Sequence, residues 1–146
     1  MGVYKMPKLD DALQIALEVH SGKTDKGGNT YILHPLRVMM KMSTEEEMIV
    51  AVLHDVVEDS DFVTIQSPEK AGFPNSVIEA VDCLTRRKGE SFGDFIVRIE
   101  PNPLARKLKL ADLGDNMDIR RLSEIKSDDF ERLKKYRLVW NELRKI

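Results

Sequence analysis

Apolar residues recur along this chain at spacings of three and four, the pattern of helices that bury one face. Leu9, Ala12, Leu13, Ala16, Leu17 and His20 form the first stripe, with charged residues between them, and predict a helix from about Lys8 to His20. Gly22 suits its C-terminal stop, and SGKTDKGGNT after it is a polar, glycine-bearing loop. In YILHPLRVMMKM, Pro35 fits the first turn of a second helix, which places His34 at a loop-to-helix junction. Ser43 or Thr44 can cap EEEMIVAVLHDVVED, whose first turn is acidic, and that helix is expected to run to about Val57. A short helix is expected between Thr64 and Lys70, ending at Gly72, and Pro74 opens another through about Leu84. TRRKGE reads as a basic loop, and SFGDFIVRIE as a helix that stops before Pro101. Pro103 starts a long helix, and Ser127 or Asp128 can cap a last one with Leu133, Tyr136, Val139, Trp140 and Leu143 turned inward. The Met residues 39, 40, 42 and 48 read as core filler. With no strand period and no internal repeat, the expected fold class is all-α: a compact single-domain helical bundle of about seven helices spanning residues 1–146.

Composition narrows the functional classes. The chain is 42% hydrophobic and 33% charged, as a globular soluble domain is. Its 23 basic and 25 acidic residues leave a net charge of -2, which argues against a nucleic-acid surface or a polybasic membrane anchor. MGVYKMPKLDD lacks the apolar core of a secretory signal, and no stretch has the length of a bilayer span. The one cysteine, Cys83, lies among apolar neighbours and reads as a small buried hydrophobe in a reducing compartment. A cytoplasmic protein with neither nucleic acid nor membrane as partner is expected. The apolar stripe of the last helix, Trp140 included, has two places to pack: at home, or against a second subunit in a homo-oligomer.

The stretch AVLHDVVEDS breaks the apolar pattern. On a helix, His54 and Glu58 share one stripe, and Asp55 and Asp59 share the next. KLADLGDNMDIR repeats the device, with Asp112, Asn116 and Arg120 on one stripe, Asp115 beside it, and Leu108, Leu110, Ala111 and Leu113 keeping the helix apolar. Burying so many carboxylates without a counter-charge costs several kcal/mol each, and a divalent cation would supply that charge. His34, His54, Asp55 and Asp112 make a mixed nitrogen and oxygen ligand set that suits Mn²⁺, Fe²⁺ or Zn²⁺ better than Ca²⁺ or Mg²⁺. A water held there would be acidified and a nearby carboxylate could move its proton, which is the logic of metal-assisted phosphoester hydrolysis. Singly, each of these residues has a bland reading as a helix-start histidine or a helix-face acid. His20, on the first apolar stripe, reads as a hydrogen-bonded core histidine bracing the following loop. The basic residues Arg86, Arg87, Lys88, Arg98, Lys107, Lys109, Arg120 and Arg121 read mostly as a solvated face.

The order YILHP, LHDVVED, LTR and KLADLGDNM resembles the HD-domain superfamily, and most closely the hydrolase domain of the RelA/SpoT homologues, including the free-standing small alarmone hydrolases. The resemblance runs from about Leu9 to Arg120. It implies an all-α fold, one bound Mn²⁺, and removal of the 3′-pyrophosphate from (p)ppGpp. By motif it implies His34, His54, Asp55 and Asp112 as metal ligands. It likewise makes Glu58 and Asp59 the catalytic pair that handles the attacking water. It points to Asn116 near the ribose and phosphates, Lys26 as the loop lysine, and Thr85-Arg86 in place of a Thr-Lys motif. The chain departs from the family at Lys23 and Asp25, where the loop usually carries Gln and a base-stacking Arg. It departs again at KLADLGDNM, which loses an arginine and gains Asp115 relative to KLADRLHNM. Two other readings remain open: an HD phosphatase acting on another nucleotide, and a non-catalytic nucleotide-binding sensor.

Overall fold

The computed structural model describes residues 6–60, 68 and 71–146. Among them are seven α-helices, α1 (Leu9–His20), α2 (Leu33–Met40), α3 (Glu45–Leu53), α4 (Asn75–Leu84), α5 (Phe92–Ile99), α6 (Pro103–Asn116) and α7 (Ser127–Arg144), with a 3₁₀ turn at Ile119–Arg121. The described residues hold no strand beyond one isolated antiparallel bridge, Thr24 to Thr30. The all-α expectation holds. The helix expected between Thr64 and Lys70 lies outside the described residues, apart from Pro68. Among the described residues, no helix is long and apolar enough to cross a membrane.

Local chemistry sets the boundaries. Thr44 caps α3, its Oγ1 accepting the Glu47 N–H at 3.2 Å while Glu47 reaches back to the Ser43 and Thr44 amides. Ser91 Oγ and Asn102 Oδ1 cap α5 and α6 by accepting the Asp94 and Ala105 N–H groups, without the reciprocal contact. α3 stops at Leu53, four residues short of the expected Val57. His54 Nδ1 donates to the Ala51 carbonyl at 2.5 Å and occupies an acceptor that a further helical turn would use. Residues 54–59 continue as tight turns, with the Asp59 N–H on the Asp55 carbonyl at 3.1 Å. α6 stops at Asn116, so Arg120 leaves the Asp112–Asn116 stripe and pairs with Asp118 in the 3₁₀ turn. α7 begins at Ser127, one residue after a Lys126 cap, and Asp128 and Asp129 sit in its first turn where the helix dipole favours acids.

α3 is the central element. Ile49, Val50, Ala51, Val52 and Leu53 are all buried, and α1, α2, α4 and α6 pack around them. Leu108 and Leu113 of α6 and Val77, Ala80 and Val81 of α4 complete this core, each large aliphatic contributing about 1.5–3 kcal/mol on burial. α7 closes over α6, with Leu143 buried and Tyr136, Val139 and Trp140 half-buried against the core. Met42 is buried and Met39 and Met48 pack against the core, but Met40 is 75% exposed and is not core filler. Cys83 is half-buried, and burial pushes its thiol pKa up. The core residues Leu53 and Leu113 adjoin His54 and Asp112 in sequence, so the apolar core is also the floor of the polar site.

Candidate metal centre

Three helices bring the predicted donors together. His34 comes from the first turn of α2, His54 from the residue that ends α3, and Asp112 from the last full turn of α6. All three are buried, and one donor atom from each lies within 4.8 Å of the others. Asp112 Oδ1 is 2.9 Å from His34 Nε2 and 3.5 Å from His54 Nε2. Asp112 also accepts the Lys109 ammonium at 2.9 Å and the Asn116 side-chain amide at 3.2 Å. Burial alone would raise the Asp112 pKa and lower those of the histidines. The Lys109 charge and the two imidazoles hold Asp112 well below the usual carboxylate range, and the facing carboxylates push His54 up to about 10.

Asp55 stands at the edge of this group. Its Oδ2 is 3.8 Å from His54 Nε2 and accepts the Tyr31 hydroxyl. Its Oδ1 faces His20 Nε2 at 3.3 Å, and His20 Nδ1 faces Asp59 at 3.8 Å. Among the described residues neither His20 nitrogen makes a hydrogen bond, unlike the hydrogen-bonded core histidine expected, although its ring is fully buried and packs 4.8 Å from the Tyr31 ring. Burial works to raise the Asp55 pKa, but the His54 charge and the contacts with His20 and Tyr31 hold it below the ordinary range.

Two acids the sequence flagged as departures have structural partners. Asp115 is buried and does not face the cleft as a free negative charge. Its Oδ2 takes His34 Nδ1 at 2.6 Å, and Arg37 and Arg121 pair with it at 2.7 and 2.9 Å. Asp25 lines the cleft, but its Oδ1 accepts the Gly27 and Asn29 N–H groups, both at 2.9 Å, and so organises its own loop.

A cleft of about 380 Å³ opens over the donors. His34, His54, Asp55, Glu58, Asp59 and Asp112 line its floor, with Lys26, Lys109, Asn116 and Arg121 around it and Leu84, Phe95, Leu133 and Tyr136 as an apolar wall. Burial raises the pKa of Glu58 and of Asp59, and the negative charge of Asp55 adds to both shifts. Arg86 is placed differently from its expected role. Its guanidinium turns to the Glu90 carbonyl at 3.0 Å and does not line the cleft, while its backbone N–H meets Glu58. Lys109, which the sequence left in a charge run, reaches the centre, its ammonium 2.9 Å from Asp112 Oδ2. Its position three residues before Asp112 on α6 was the available signal. Arg98 and Lys107 pair with Glu90 and Glu47 away from the cleft.

The donor set suits a divalent transition ion. Donors bound at about 2.1 Å around one ion stand roughly 3.0–3.4 Å from each other, close to the 2.9 and 3.5 Å separations here. Two imidazole nitrogens and the Asp112 carboxylate are borderline donors that such ions accept, with Asp55 beside them at 3.8 Å from His54.

No family model matches the chain. Curated proteins do. A guanosine-3′,5′-bis(diphosphate) 3′-pyrophosphohydrolase of Aquifex aeolicus is 30% identical over 122 residues, 75% of this chain and 17% of that protein. The protein of the same name from Vibrio cholerae is 31% identical over 134 residues, 82% of this chain and 18% of its own length. The bifunctional (p)ppGpp synthase/hydrolase SpoT of Escherichia coli is 29% identical over 144 residues, 88% of this chain and 20% of its own. The chain thus spans about a fifth of the length of these relatives.

Proposed function

We propose that this chain, which belongs to the RelA/SpoT-homologue family of HD-domain hydrolases, is a metal-dependent hydrolase that removes the 3′-pyrophosphate of (p)ppGpp. Residues 1–146 act as one hydrolytic domain in this reading, with Mn²⁺ as its cation. The observation that carries it is the buried group of His34, His54 and Asp112, with Asp55 beside it, in a cleft also lined by Glu58 and Asp59.

A divalent cation held by His34, His54, Asp55 and Asp112 supplies Lewis acidity toward a water and the phosphoryl oxygens. Water oxygen bonds to the phosphorus attached to the ribose 3′-oxygen, the O3′–P bond breaks, and GDP or GTP leaves with pyrophosphate. Glu58 and Asp59 take the proton from the water and return one to the departing 3′-oxygen. Their raised pKa values fit that duty, because a carboxylate nearer neutrality exchanges protons more readily at working pH. The Tyr31 hydroxyl donates to Asp55 Oδ2, the oxygen that faces His54, and His20 faces Asp55 Oδ1. In this reading Lys26, Lys109 and Asn116, which line the cleft, would meet the charge of the polyphosphate. Leu84, Phe95 and Tyr136 offer an apolar wall to a nucleoside.

The test is pyrophosphate and phosphate release from ppGpp, pppGpp, other 3′-phosphorylated nucleotides and nucleoside triphosphates, with Mn²⁺ and with chelator. Mn²⁺-dependent pyrophosphate release from ppGpp above the others is expected, and Glu58→Gln should retain Mn²⁺ while losing most turnover. The capture of the Asp25 carboxylate by its own loop favours one second reading, an HD phosphatase for a different nucleotide. Release from such a nucleotide with ppGpp untouched would establish it and refute the first.

A further inference from the structure

We infer that Asp115 is the positioning residue of the metal centre, and that Arg121 links it to the substrate loop. This inference rests on the metal reading of His34, His54, Asp55 and Asp112. His34 has two ring nitrogens. Nε2 faces the donor group at Asp112, and Nδ1 lies 2.6 Å from Asp115 Oδ2. A carboxylate on Nδ1 fixes which nitrogen carries the proton, leaves the Nε2 lone pair for a cation, and raises its basicity. Asp115 is itself immobilised. Arg37 grips it through Nε at 2.7 Å and Nη2 at 3.1 Å, and Arg121 Nη1 adds a third contact at 2.9 Å. Its side chain is only 4% exposed, so these partners replace the water it lacks.

Arg121 carries the arrangement outward. The same Nη1 is 3.8 Å from Asp25 Oδ2, and the Arg121 carbonyl accepts the Asn29 side-chain amide at 3.4 Å. That carbonyl also sits where a side chain on Gly27 would stand, at 2.2 Å from an ideal Cβ. The loop bearing Lys26 is therefore docked on the 3₁₀ turn that holds Asp115. Asp25 and Asp115, the two acids by which the chain departs from its family's motifs, meet on this one arginine. The roles separate cleanly: Asp115 sets the imidazole, and Arg121 sets the loop.

The experiment measures Mn²⁺ affinity by calorimetry on the intact protein, with KM for ppGpp beside it, in wild type, Asp115→Asn and Arg121→Met. Asn fills the volume of Asp and can accept from Nδ1–H but carries no charge. Asp115→Asn should weaken Mn²⁺ binding about 10- to 100-fold. Arg121→Met leaves Asp115 in the grip of Arg37 and should change Mn²⁺ affinity less than about 3-fold while raising KM about 10-fold, the scale of one lost charge-assisted contact. Wild-type Mn²⁺ affinity in Asp115→Asn would reduce Asp115 to a packing residue and overturn the inference. Equal losses of Mn²⁺ affinity in both variants would overturn it too, since the two would then be one structural unit. A wild type that binds no Mn²⁺ would sink the metal reading itself, an outcome distinct from either.

Discussion

Replacing Asp112 with alanine probes the centre even before metal is added. In the folded chain this carboxylate is 2.9 Å from His34 Nε2, 2.9 Å from Lys109 Nζ, 3.2 Å from Asn116 Nδ2 and 3.5 Å from His54 Nε2. Removing one partner of a buried charge network costs about 3–5 kcal/mol, because the groups left behind have neither water nor counter-charge. His34 and His54 can shed protons once the carboxylate is gone, which places the loss near the lower end, about 3 kcal/mol. A chain of 146 residues unfolds with an entropy of about 0.3 kcal/mol/K, so Tm of the metal-free protein should fall roughly 10 °C. The assay is thermal unfolding followed by circular dichroism, in chelator and then with Mn²⁺. Wild type should gain about 2.7 kcal/mol of stability at a Mn²⁺ concentration one hundred times Kd, a rise of roughly 9 °C by the same entropy. Asp112→Ala should gain almost nothing. A metal-free variant within 2 °C of wild type, against the roughly 10 °C expected, would refute the reasoning. The carboxylate would then be solvated in a way its 6% exposure denies.

Two more outcomes follow from specific contacts. Gly27→Ala places a methyl group 2.2 Å from the Arg121 carbonyl, a backbone atom that cannot turn aside. The loop should lift, raising KM for the nucleotide about 10-fold (on the order of one lost contact) with Mn²⁺ affinity unchanged, as steady-state kinetics beside calorimetry would show. Hydrogen bonds from Arg98, assisted by the Arg87 amide, hold the Glu90 carboxyl down to about 2 from an ordinary 4.5. A depressed carboxylate adds stability above its unfolded pKa and loses it as pH falls through its folded one. Acid unfolding of wild type should therefore steepen between pH 4.5 and about 2, and Glu90→Gln should flatten that limb; identical limbs in the two proteins would remove the pair from the account.

Much of this molecule was legible from side-chain type and spacing. Helix periodicity marked α1 to α7, because a stripe that packs against a core leaves its mark at every third and fourth residue. The same logic exposed His54 and Asp112, polar residues where the stripe required apolar ones, and the fold does bring them to His34. Asp115 shows what spacing cannot tell. Periodicity locates it beside Asp112 on α6, but its partners His34 and Arg37 belong to α2, and the crossing of those two helices is a property of packing. Asp25 was illegible for a different reason. An aspartate that closes on amides two and four residues ahead looks the same in sequence as one that faces a ligand. The end of α3 escaped because a histidine side chain competed for the Ala51 carbonyl, a local contest that an apolar stripe does not register. Arg86 shared a motif position with a phosphate contact, yet the Glu90 carbonyl holds its guanidinium elsewhere.

The long reach of the centre along the chain has a consequence for how the protein is made. His34 leaves the ribosome 78 residues ahead of Asp112 and 81 ahead of Asp115, and Asn29 leaves 92 ahead of the Arg121 carbonyl that docks its loop. α1, α2 and α3 can pair as soon as they emerge, since they are neighbours in sequence and in space. During that interval the nascent protein carries both histidines and Asp55 without the carboxylate that stands between the rings. A translation product that stops short of α6 is therefore a helical fragment with two loose imidazoles and an incomplete donor group. The topology makes synthesis through α6 a condition for assembling the donor group.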